Sequence, residues 1–428
     1  MYFGLMIAIF VIGYAMIALE HPLKINKSAT AVLLAAVIWA VFALFGPGIK
    51  DGALIHHLGE TAEILFFLLG AMTIVEIVDK HDGFSIITDR ITTTSKRKLL
   101  WIISILTFFM SAVLDNLTTS IVMCALLRKL VGDKNTRWFF AGMVILAANA
   151  GGAWSPIGDV TTIMLWIKGN ITAGSIILET IIPSLVSLLV PVAIIGMTMK
   201  GKLERPEKTE SEETSTVTRK QSLLILCMGV GLLLFVPFFK TITHLPPYLG
   251  ILFGLGILWI TTEIMHKNNP TNYSRLNVTA IIQKVDVPSV LFFLGILMAV
   301  SCLNEAGHLG QLAGALNELG NVYVINIVIG VLSSIIDNVP LVAAAMGMYP
   351  IEAIGNFAVD GAFWEGLAYC AGTGGSLLII GSAAGVAVMG MEKIDFIWYL
   401  KKISLWALIG YLAGAGTFYL MSTLIFHA

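Results

Sequence analysis

The chain has 428 residues, of which 57% are hydrophobic and only 12% are charged. Its apolar segments repeatedly reach the roughly 18 to 20 residues that span a bilayer, so the composition indicates a polytopic membrane protein and excludes a soluble globular domain. The formal net charge of -1 conceals a strong asymmetry in where the charges lie, and no nucleic-acid partner is expected.

Twelve apolar segments follow one another along the sequence. We expect the first to be a retained helix rather than a signal peptide, because no basic residue precedes it and no small-residue cleavage pattern follows it. The four cysteines are widely spaced and lack metal-ligand spacing, so we expect no metal or other cofactor. The segments are 2–19, 29–46, 60–79, 99–127, 138–167, 176–199, 221–239, 247–265, 286–303, 321–349, 362–392 and 396–424.

Two segments each have flanking loops that match in their content of lysine and arginine. Segment 99–127 lies between the basic stretches 80–98 and 128–137. By the positive-inside rule both of its ends are cytoplasmic, so we expect a re-entrant hairpin with its turn near 115–116. The flanks of segment 321–349 contain no lysine or arginine, so this segment is predicted to be a hairpin that enters from outside.

The other ten segments are predicted to cross the membrane. Six loops then face the cytoplasm and hold 23 of the 26 lysines and arginines, whereas Lys50, Lys168 and Lys240 lie outside with both termini. The longest polar stretch, 200–220, is predicted to be a flexible cytoplasmic linker between two halves. The six loops are 20–28, 80–98, 128–137, 200–220, 266–285 and 393–402.

The two halves of the chain resemble each other. EILFFLLGAM at 63–72 matches SVLFFLGILM at 289–298, SAVLDNLTTS at 111–120 matches SSIIDNVPLV at 333–342, and GGAWSPIGD at 151–159 matches GGSLLIIGS at 374–382. The offsets of 226, 222 and 223 residues agree closely, which indicates an internal repeat. In the topology above the repeats are inverted, and inverted repeats with broken helices are typical of secondary transporters that bind substrate near the midplane.

The predicted fold class is an all-α polytopic membrane protein built from two inverted-topology repeats. Each repeat contains a re-entrant hairpin and an interrupted transmembrane helix. The organisation expected along the chain is N-terminal transmembrane helices (1–53), a first inverted repeat (54–199), the linker (200–220), a transmembrane helix pair (221–265) and a second inverted repeat (266–428).

Oxygen-bearing side chains concentrate at the two hairpin tips, 111–119 and 333–338, and in the interrupted helices. Glycines and a proline within 149–162 disfavour a continuous helix there and free backbone carbonyls. Carboxylate, amide, hydroxyl and carbonyl oxygens suit a small alkali cation that sheds its hydration shell. The predicted cation- and proton-binding residues are Ser111, Asp115, Asn116, Thr118, Asn149, Asp159, Thr161, Thr162, Ser333, Asp337, Asn338, Thr373 and Ser376.

Aspartates within the membrane suggest how two ions are coupled. An unpaired carboxylate at the membrane centre costs about 2.5 to 3.5 kcal/mol, so each must be protonated or paired with a cation. If Asp115, Asp159 or Asp337 exchanges a proton for Na+ or Li+ on one site, competition between the ions gives antiport. The Na+ site is expected near Asp115, Asn116, Asp159 and Asn338. Whether Asp115 or Asp159 carries the exchanged proton stays open.

Some of these acidic residues also have simpler roles open to them. Asp115 and Asn116 can cap the helix that follows the hairpin turn, and Asp159 can cap the second half of its interrupted helix. Capping and ion binding are compatible. Glu60 and Glu63 lie at a membrane mouth, where they either provide proton access or are simply solvated.

At these residues the sequence resembles the NhaD-type Na+/H+ antiporters of the ion transporter superfamily. The resemblance is carried by LDNLTT, IDNVP and NAGGAWSPIGDVTT, and the similarity in layout runs over about residues 50–428. It implies two inverted repeats, a homodimer, and exchange of cytoplasmic Na+ or Li+ for external H+ in pH or salt homeostasis. On this basis we expect an integral protein of the bacterial inner membrane.

The resemblance also implies roles for particular residues and shows where the two repeats differ. Pro340 stands where the first repeat has Thr118, and Ser382 stands where it has Asp159, so the two half-sites are unequal. The residues to which the resemblance implies cation or proton binding are Asp115, Asn116, Asn149, Asp159, Thr161, Thr162, Ser333 and Asn338, with contributions from Ser111 and Asp337.

Two other classes of protein compete with this interpretation. An anion carrier of the same superfamily, for a dicarboxylate or arsenite, is disfavoured because aspartates at both tips would repel a dicarboxylate. An intramembrane aspartyl protease would keep two aspartates in the bilayer, but SPIGD lacks the first glycine of a Gly-x-Gly-Asp element. We therefore expect a transporter and no enzyme activity.

Overall fold

The chain folds as a bundle of helices. The structure, a computed structural model, describes residues 2–88, 90–203, 217–267 and 276–427, and within these ranges no strand forms. Eight of the described helices are long and apolar enough to cross a membrane, and a ninth span results if the bent pair His308–Asn317 and Val322–Leu332 counts as one. The chain is therefore an all-α integral membrane protein, as predicted.

The N-terminal helices pack onto the second half of the chain. Trp39 donates its indole N–H to the Met298 carbonyl at 2.8 Å, and Ser28 donates its hydroxyl to the Pro288 carbonyl at 2.6 Å. Because these contacts join positions about 260 residues apart in sequence, they hold the first helices against the second repeat. The helices are α1 (Tyr2–Ala18), α2 (Glu20–Leu23), α3 (Lys27–Phe45), α4 (Ala53–Lys80) and α5 (Ser85–Thr88).

Two breaks interrupt the helices of the first half. A single residue, Asp115, separates α6 from α7, and its φ of 75° ends α6. Residues 153–159 separate α8 from α9, where Pro156 and Gly158 oppose helix formation. The helices are α6 (Lys96–Leu114), α7 (Asn116–Leu130), α8 (Lys134–Gly152), α9 (Val160–Ile167) and α10 (Ala173–Thr198).

Three helices connect the halves and the rest form the second half. Helix α15 lies within 304–320, between the predicted apolar segments 286–303 and 321–349. The predicted linker 200–220 and loop 266–285 lie partly outside the described residues. The helices are α11 (Arg219–Thr243), α12 (Pro247–His266), α13 (Val278–Ile282), α14 (Val287–Glu305), α15 (His308–Asn317), α16 (Val322–Leu332), α17 (Asn338–Met348), α18 (Ala362–Gly374), α19 (Ala383–Glu392), α20 (Phe396–Lys402), α21 (Ser404–Met421) and a π-helix (Ser422–Phe426).

The ends of α6 and α7 meet as a hairpin requires. Lys96, at the start of α6, donates from Nζ to Thr136 Oγ1 at the start of α8, at 3.2 Å. Arg137 of α8 donates to the Val131 carbonyl, directly after α7, at 3.0 Å. The first residue of α6 and the last of α7 therefore lie at one end of the bundle. How this pair of helices sits in the bilayer stays a prediction.

The second half contains the equivalent arrangement. Asn326, near the start of α16, donates to the Phe363 carbonyl at the start of α18, at 3.0 Å. The ring of Tyr349, directly after α17, lies 4.7 Å from that of Phe363. The start of α16, the end of α17 and the start of α18 therefore also share one end.

Matched contacts recur in the two halves at the offset that the sequence repeat predicts. Ser111 donates its hydroxyl to the Ala148 carbonyl at 2.6 Å, and Ser333 donates to the Ala371 carbonyl at 2.8 Å. The two serines are 222 residues apart in sequence, and the two alanines are 223 residues apart. Each contact ties a hairpin tip to the interrupted helix of its own half.

Glycines let the same helices approach closely in both halves. A Cβ at Gly151 would collide with the Phe108 carbonyl oxygen, and a Cβ at Gly374 would collide with that of Gly330. Only glycine leaves room for the neighbouring backbone at these positions. The local contacts thus agree with an internal repeat, while the opposite orientation of the repeats across a membrane stays a prediction.

The predicted outer and cytoplasmic loops collect at separate ends of the bundle. At one end, Lys50 Nζ lies 3.4 Å from Glu305 Oε1, and Asp360 accepts from Thr172. The two termini share this end, because Phe3 stacks near His308 and His427 lies beside Glu179. Which end faces the cytoplasm stays a prediction.

The other end of the bundle collects loops that are predicted to be cytoplasmic. Glu392, at the end of α19, pairs with Arg128 of α7 and Arg137 of α8, with N–O distances of 2.6 and 2.8 Å. Ser95 and Lys202 form an isolated antiparallel bridge. The grouping agrees with the predicted distribution of lysine and arginine.

Candidate cation-binding site

Asp159 begins the second half of the interrupted helix in the first repeat. Its Oδ1 accepts from the Thr161 N–H and from the Thr161 hydroxyl, each at 2.9 Å. Its own N–H donates to Thr162 Oγ1 at 3.3 Å, which completes a capping box at the start of α9. The predicted capping role is confirmed, and the carboxylate is fixed where the chain passes from an irregular segment into a helix.

The same carboxylate is the meeting point of both hairpin tips. Asn116, from the first tip, donates from Nδ2 to Asp159 Oδ2 at 2.5 Å. Asn338, from the second tip, lies with its Nδ2 3.3 Å from each Asp159 oxygen. Asp159 is only 1% exposed. Four donor groups, two amides and the two of Thr161, therefore surround one buried carboxylate, an arrangement that suits an anionic oxygen pair.

Asn149 links this carboxylate network to the interrupted helix of the second half. Its Oδ1 accepts from Asn116 Nδ2 at 3.1 Å, and its Nδ2 donates to Ser376 and Ser382 at 2.9 and 3.0 Å. Ser382 caps α19 at the position equivalent to Asp159. The sequence repeat aligns Ser382 with Asp159, but the predicted site residues do not include it.

Asp115 lies near this network but bonds elsewhere. Its two carboxylate oxygens accept from the N–H and the hydroxyl of Thr118, each at 2.8 Å, so it caps α7 as predicted. Asp159 is close enough to act on it electrostatically. The two candidate aspartates therefore interact electrostatically, and of the two only Asp159 is bonded to both tips.

Asp337 acts on Asp159 electrostatically but is bonded to the N-terminal helices rather than to Asp159. Its Oδ2 lies 3.7 Å from Lys27 Nζ, and its backbone N–H donates to the Tyr14 hydroxyl at 2.9 Å. Lys27 also lies over the ring of Phe292, 4.4 Å from the centroid. Since Pro340 has neither the N–H nor the hydroxyl that Thr118 supplies in the first repeat, Asp337 caps α17 through the Val339 N–H at 3.3 Å and takes its other partners from α1 and α3.

Four predicted hydroxyl ligands bond to backbone carbonyls. Ser111 and Ser333 join each tip to its interrupted helix, as described above. Thr373 donates to the Tyr369 carbonyl at 2.6 Å, and Thr162 donates to the carbonyl of Asp159 at 2.9 Å. These four side chains connect the backbone around the site, and their hydroxyl hydrogens are directed at the carbonyls that accept them.

A cavity of about 340 Å³ opens between α4, α9, α14 and α17 at the end that is predicted to face outward. Glu60, His57 and Asn304 line the cavity, and Glu60 Oε1 lies 2.5 Å from Lys168 Nζ. Met164, five residues after Asp159 on α9, also lines the cavity. Glu63 instead lies within electrostatic reach of Lys240, so only Glu60 of the two predicted access residues borders the cavity.

The donor set also limits the metals that the site can hold. Among the described residues, no group of three or more His, Cys, Asp and Glu side chains could hold a metal ion. The site offers one carboxylate, three amides and hydroxyls. Such oxygens suit a proton or a hard monovalent cation rather than a transition metal.

The fold and the site together define a class of protein. A helical membrane protein whose two hairpin tips and two interrupted helices meet at one buried carboxylate has the arrangement of a secondary transporter. A family model described as "Citrate transporter" matches residues 7–364. The chain belongs to this family of transporters, and its similarity to individual members is more specific.

Relatives of the chain include plant and bacterial proteins. "Sodium/proton antiporter 2" of Arabidopsis thaliana is 46% identical over 96% of this chain and 98% of the relative. "Na(+)/H(+) antiporter NhaD" of Alkalimonas amylolytica is 32% identical over 98% of this chain and 91% of the relative, and the Vibrio cholerae protein of the same name is 33% identical over 92% and 86%. The predicted resemblance to the NhaD-type family is confirmed.

Proposed function

We propose that this chain exchanges cytoplasmic Na+ or Li+ for external H+ by alternating access, with Asp159 as the group that binds one ion or the other. The observation that carries the proposal is the position of Asp159. Its buried carboxylate lies between Asn116 of the first tip and Asn338 of the second. Relatives named as sodium/proton antiporters over nearly the whole chain support the choice of ions.

Burial of Asp159 makes the two ions compete. A charged carboxylate at membrane depth is costly, by about 2.5 to 3.5 kcal/mol on insertion scales, so it is stable only when it holds a proton or a cation. A carboxyl group that has bound a proton is neutral and binds Na+ only weakly. Binding Na+ therefore expels the proton, and this competition alone couples the two fluxes without any covalent step.

The two asparagines act as adjustable ligands in this proposal. Their amide N–H groups are directed at Asp159, and an amide that turns about its last bond presents a carbonyl oxygen instead. Amide oxygens of Asn116 and Asn338 would then replace part of the hydration shell of Na+, beside the carboxylate and the Thr161 hydroxyl. Because each asparagine comes from a different tip, ion binding is linked to the relative position of the two halves.

The outward cavity provides the external route to this site. It reaches Met164 on α9, about 7.5 Å along the helix from Asp159 at 1.5 Å per residue. Glu60 and Lys168 line its wall as an ion pair, so the cavity carries charges that attract and orient hydrated ions. We propose that external protons reach Asp159 along this path and that Na+ leaves by it.

The description of the matched family names citrate, so a citrate carrier is the second candidate. A citrate anion needs cationic partners, and the described residues bonded to Asp159 contribute amides and two threonines only. Asp115 adds a second carboxyl close by. These two carboxyls would repel a tricarboxylate, so cation exchange fits the site better.

Several finer points rest on the resemblance or on the distribution of lysine and arginine. Transport of Li+ beside Na+, assembly as a homodimer, location in the bacterial inner membrane and both termini outside stay predictions. The relatives with the higher identities come from a plant, and their names do not fix the membrane of this chain.

The test uses everted membrane vesicles with an imposed pH gradient. Addition of Na+ should dissipate the gradient in vesicles with the wild-type chain and with Asp51→Asn, since Asp51 is an exposed turn residue. Asp159→Asn should abolish the response at every pH while the protein still reaches the membrane. Uptake of labelled citrate by the same vesicles, with no Na+ response, would overturn the proposal.

A further inference from the structure

A second group of acidic side chains is buried far from Asp159, near the end predicted to face outward. Glu365 lies in the first turn of α18 and is completely buried, at 0% exposure. Among the described residues, neither of its carboxyl oxygens has a hydrogen-bond partner, because the nearby Ser175 hydroxyl donates to Glu179 instead. The exchange mechanism at Asp159 makes no use of this group, so its burial needs another explanation.

Glu179 of α10 is the acidic neighbour of Glu365. It is 5% exposed, and its Oε1 accepts from the Ser175 hydroxyl at 3.1 Å. Its Oε2 lies 3.1 Å from His427 Nε2, in the segment that follows the π-helix. His427 itself is 24% exposed. The Glu179 carboxyl thus contacts a partly exposed histidine, whereas the Glu365 carboxyl is completely buried.

The charged groups around the pair come from three places. Glu179 and Ser175 come from α10, Glu365 from α18, and Asp360 from the turn that precedes α18. Asp360 is already held by the Thr172 N–H and hydroxyl. His427 is the basic group among the described residues that face the cluster. Three carboxyls and one imidazole therefore share this region.

Glu365 and Glu179 cannot both be charged at this place. A carboxylate in the membrane needs a donor or a counter-ion, and two adjacent carboxylates repel each other. Glu179 has donors in Ser175 and His427, whereas Glu365 has no bonded partner. A metal ion would need several ligands around both acids, but a proton needs only the carboxyl itself.

From this geometry we infer that Glu365 and Glu179 form a second proton-binding site, in which Glu365 holds the proton and His427 passes it to and from the outer end. The site is separate from Asp159 and does not depend on which cation the transporter carries. Helix α18 connects the two places, because Glu365 lies at its start and Ser376, just beyond its end, accepts from Asn149.

Infrared difference spectroscopy on the purified full-length protein in lipid tests this site. A protonated carboxyl has a C=O stretching band that an ionised one lacks. We expect such a band in the wild type, its loss in Glu365→Gln, and its retention in Glu318→Gln, since Glu318 is exposed at the end of α15. Retention of every protonated-carboxyl band in Glu365→Gln would overturn the proposal.

Two further variants test the pair and the route. In Glu179→Gln the negative charge that disfavours ionisation of Glu365 is removed, so the band should disappear at a lower pH than in the wild type; an unchanged pH dependence of the band would contradict the pairing. In His427→Gln the band should shift on transfer to heavy water several-fold more slowly than in the wild type. An unchanged exchange rate would overturn the role of His427. None of these readouts measures Na+ transport, so their outcome is independent of whether the proposed antiport is correct.

Discussion

Asn338, from the second half of the chain, lies with its Nδ2 3.3 Å from both carboxylate oxygens of Asp159, from the first half. The two residues are 179 positions apart in sequence. Neither half contains the complete network, because Asn116 supplies the other amide from the first tip. Any movement of one half against the other therefore changes the surroundings of the carboxylate, which is what coupling of ion binding to alternating access requires.

Removing the amide from the second tip should weaken ion binding. In Asn338→Ala the bound Na+ loses one of its two proposed amide-oxygen ligands, a loss that we equate with that of a hydrogen bond to a charged group, about 1.5 to 3 kcal/mol. We expect the Na+ concentration for half-maximal response in vesicles to rise roughly ten- to a hundredfold. Asn321→Ala is the control, since Asn321 caps α16 at an exposed position. Equal responses in the two variants would contradict the assignment.

The ion pair between Lys27 and Asp337 should hold the second tip in place. Both side chains are largely buried, at 18% and 11% exposure. Lys27→Gln leaves Asp337 without its cation and should lower the free energy of unfolding by about 2 kcal/mol, less than a fully buried pair would lose. Thermal unfolding in detergent measures this loss.

A double variant separates charge balance from a specific role of Lys27. Lys27→Gln combined with Asp337→Asn removes both charges and should recover most of the lost stability. The double variant should also keep Na+-dependent exchange, because Asp337 is not bonded to Asp159 in the network described above. A stable double variant without exchange would show that Asp337 carries a transported ion.

His81 should make the stability of the fold depend on pH. Burial lowers the pKa of His81 below its ordinary value of about 6.5, a hydrogen bond to the Ile77 carbonyl opposes this shift, and His266 adds to it. Since the unfolded chain binds a proton near pH 6.5 and the folded chain does so only at lower pH, stability should fall as pH drops below about 6.5. Above that pH both states are neutral and the residue contributes no pH dependence.

The measurement compares thermal unfolding of the wild type and His81→Asn at pH 8 and pH 5.5. The wild type should lose more stability than the variant between these two values. His81 Nδ1 lies 2.7 Å from the Ile77 carbonyl and its Nε2 lies 3.0 Å from His266 Nε2, so protonation would place two N–H groups against each other. Equal pH dependence in both proteins would contradict this role.

The close approach at Gly151 should not tolerate a larger residue. In Gly151→Ala the new methyl group meets the Phe108 carbonyl of the hairpin arm α6. Overpacking of this kind costs about 1 to 3 kcal/mol. Gly174→Ala is the matched control, because a Cβ at Gly174 has no neighbour within 4 Å and alanine favours helix. A thermal shift of the same size and sign in both variants would count against the packing described here.

The sequence was informative where local chemistry decides structure. Basic flanks on both sides of segment 99–127 predict a turn near residues 115–116, and the glycines and proline within 149–162 predict a break in the next helix. Asp159 was recognisable because a carboxylate in an apolar segment is costly wherever it lies. The helix breaks at Asp115 and after Gly152 follow from this reasoning.

The sequence was less informative where contacts are distant. The pairing of Lys27 with Asp337 joins residues in α3 and at the second tip, and no local pattern encodes it. Pro340 in place of Thr118 predicts unequal half-sites but does not identify Lys27 as the partner of Asp337. Likewise, the sequence predicts hydroxyls such as those of Ser111 and Ser333 to be ion ligands, but in the structure they donate to backbone carbonyls.

Proton release on Na+ binding is the most direct test of the central claim. Purified protein in weakly buffered detergent solution, with a pH-indicator dye, should release about one proton per chain when Na+ saturates Asp159. Asp159→Asn should bind little Na+ and release none, while Asp51→Asn should match the wild type. Binding of radioactive Na+ by the wild type without proton release, or undiminished release from Asp159→Asn, would contradict competition at this carboxylate.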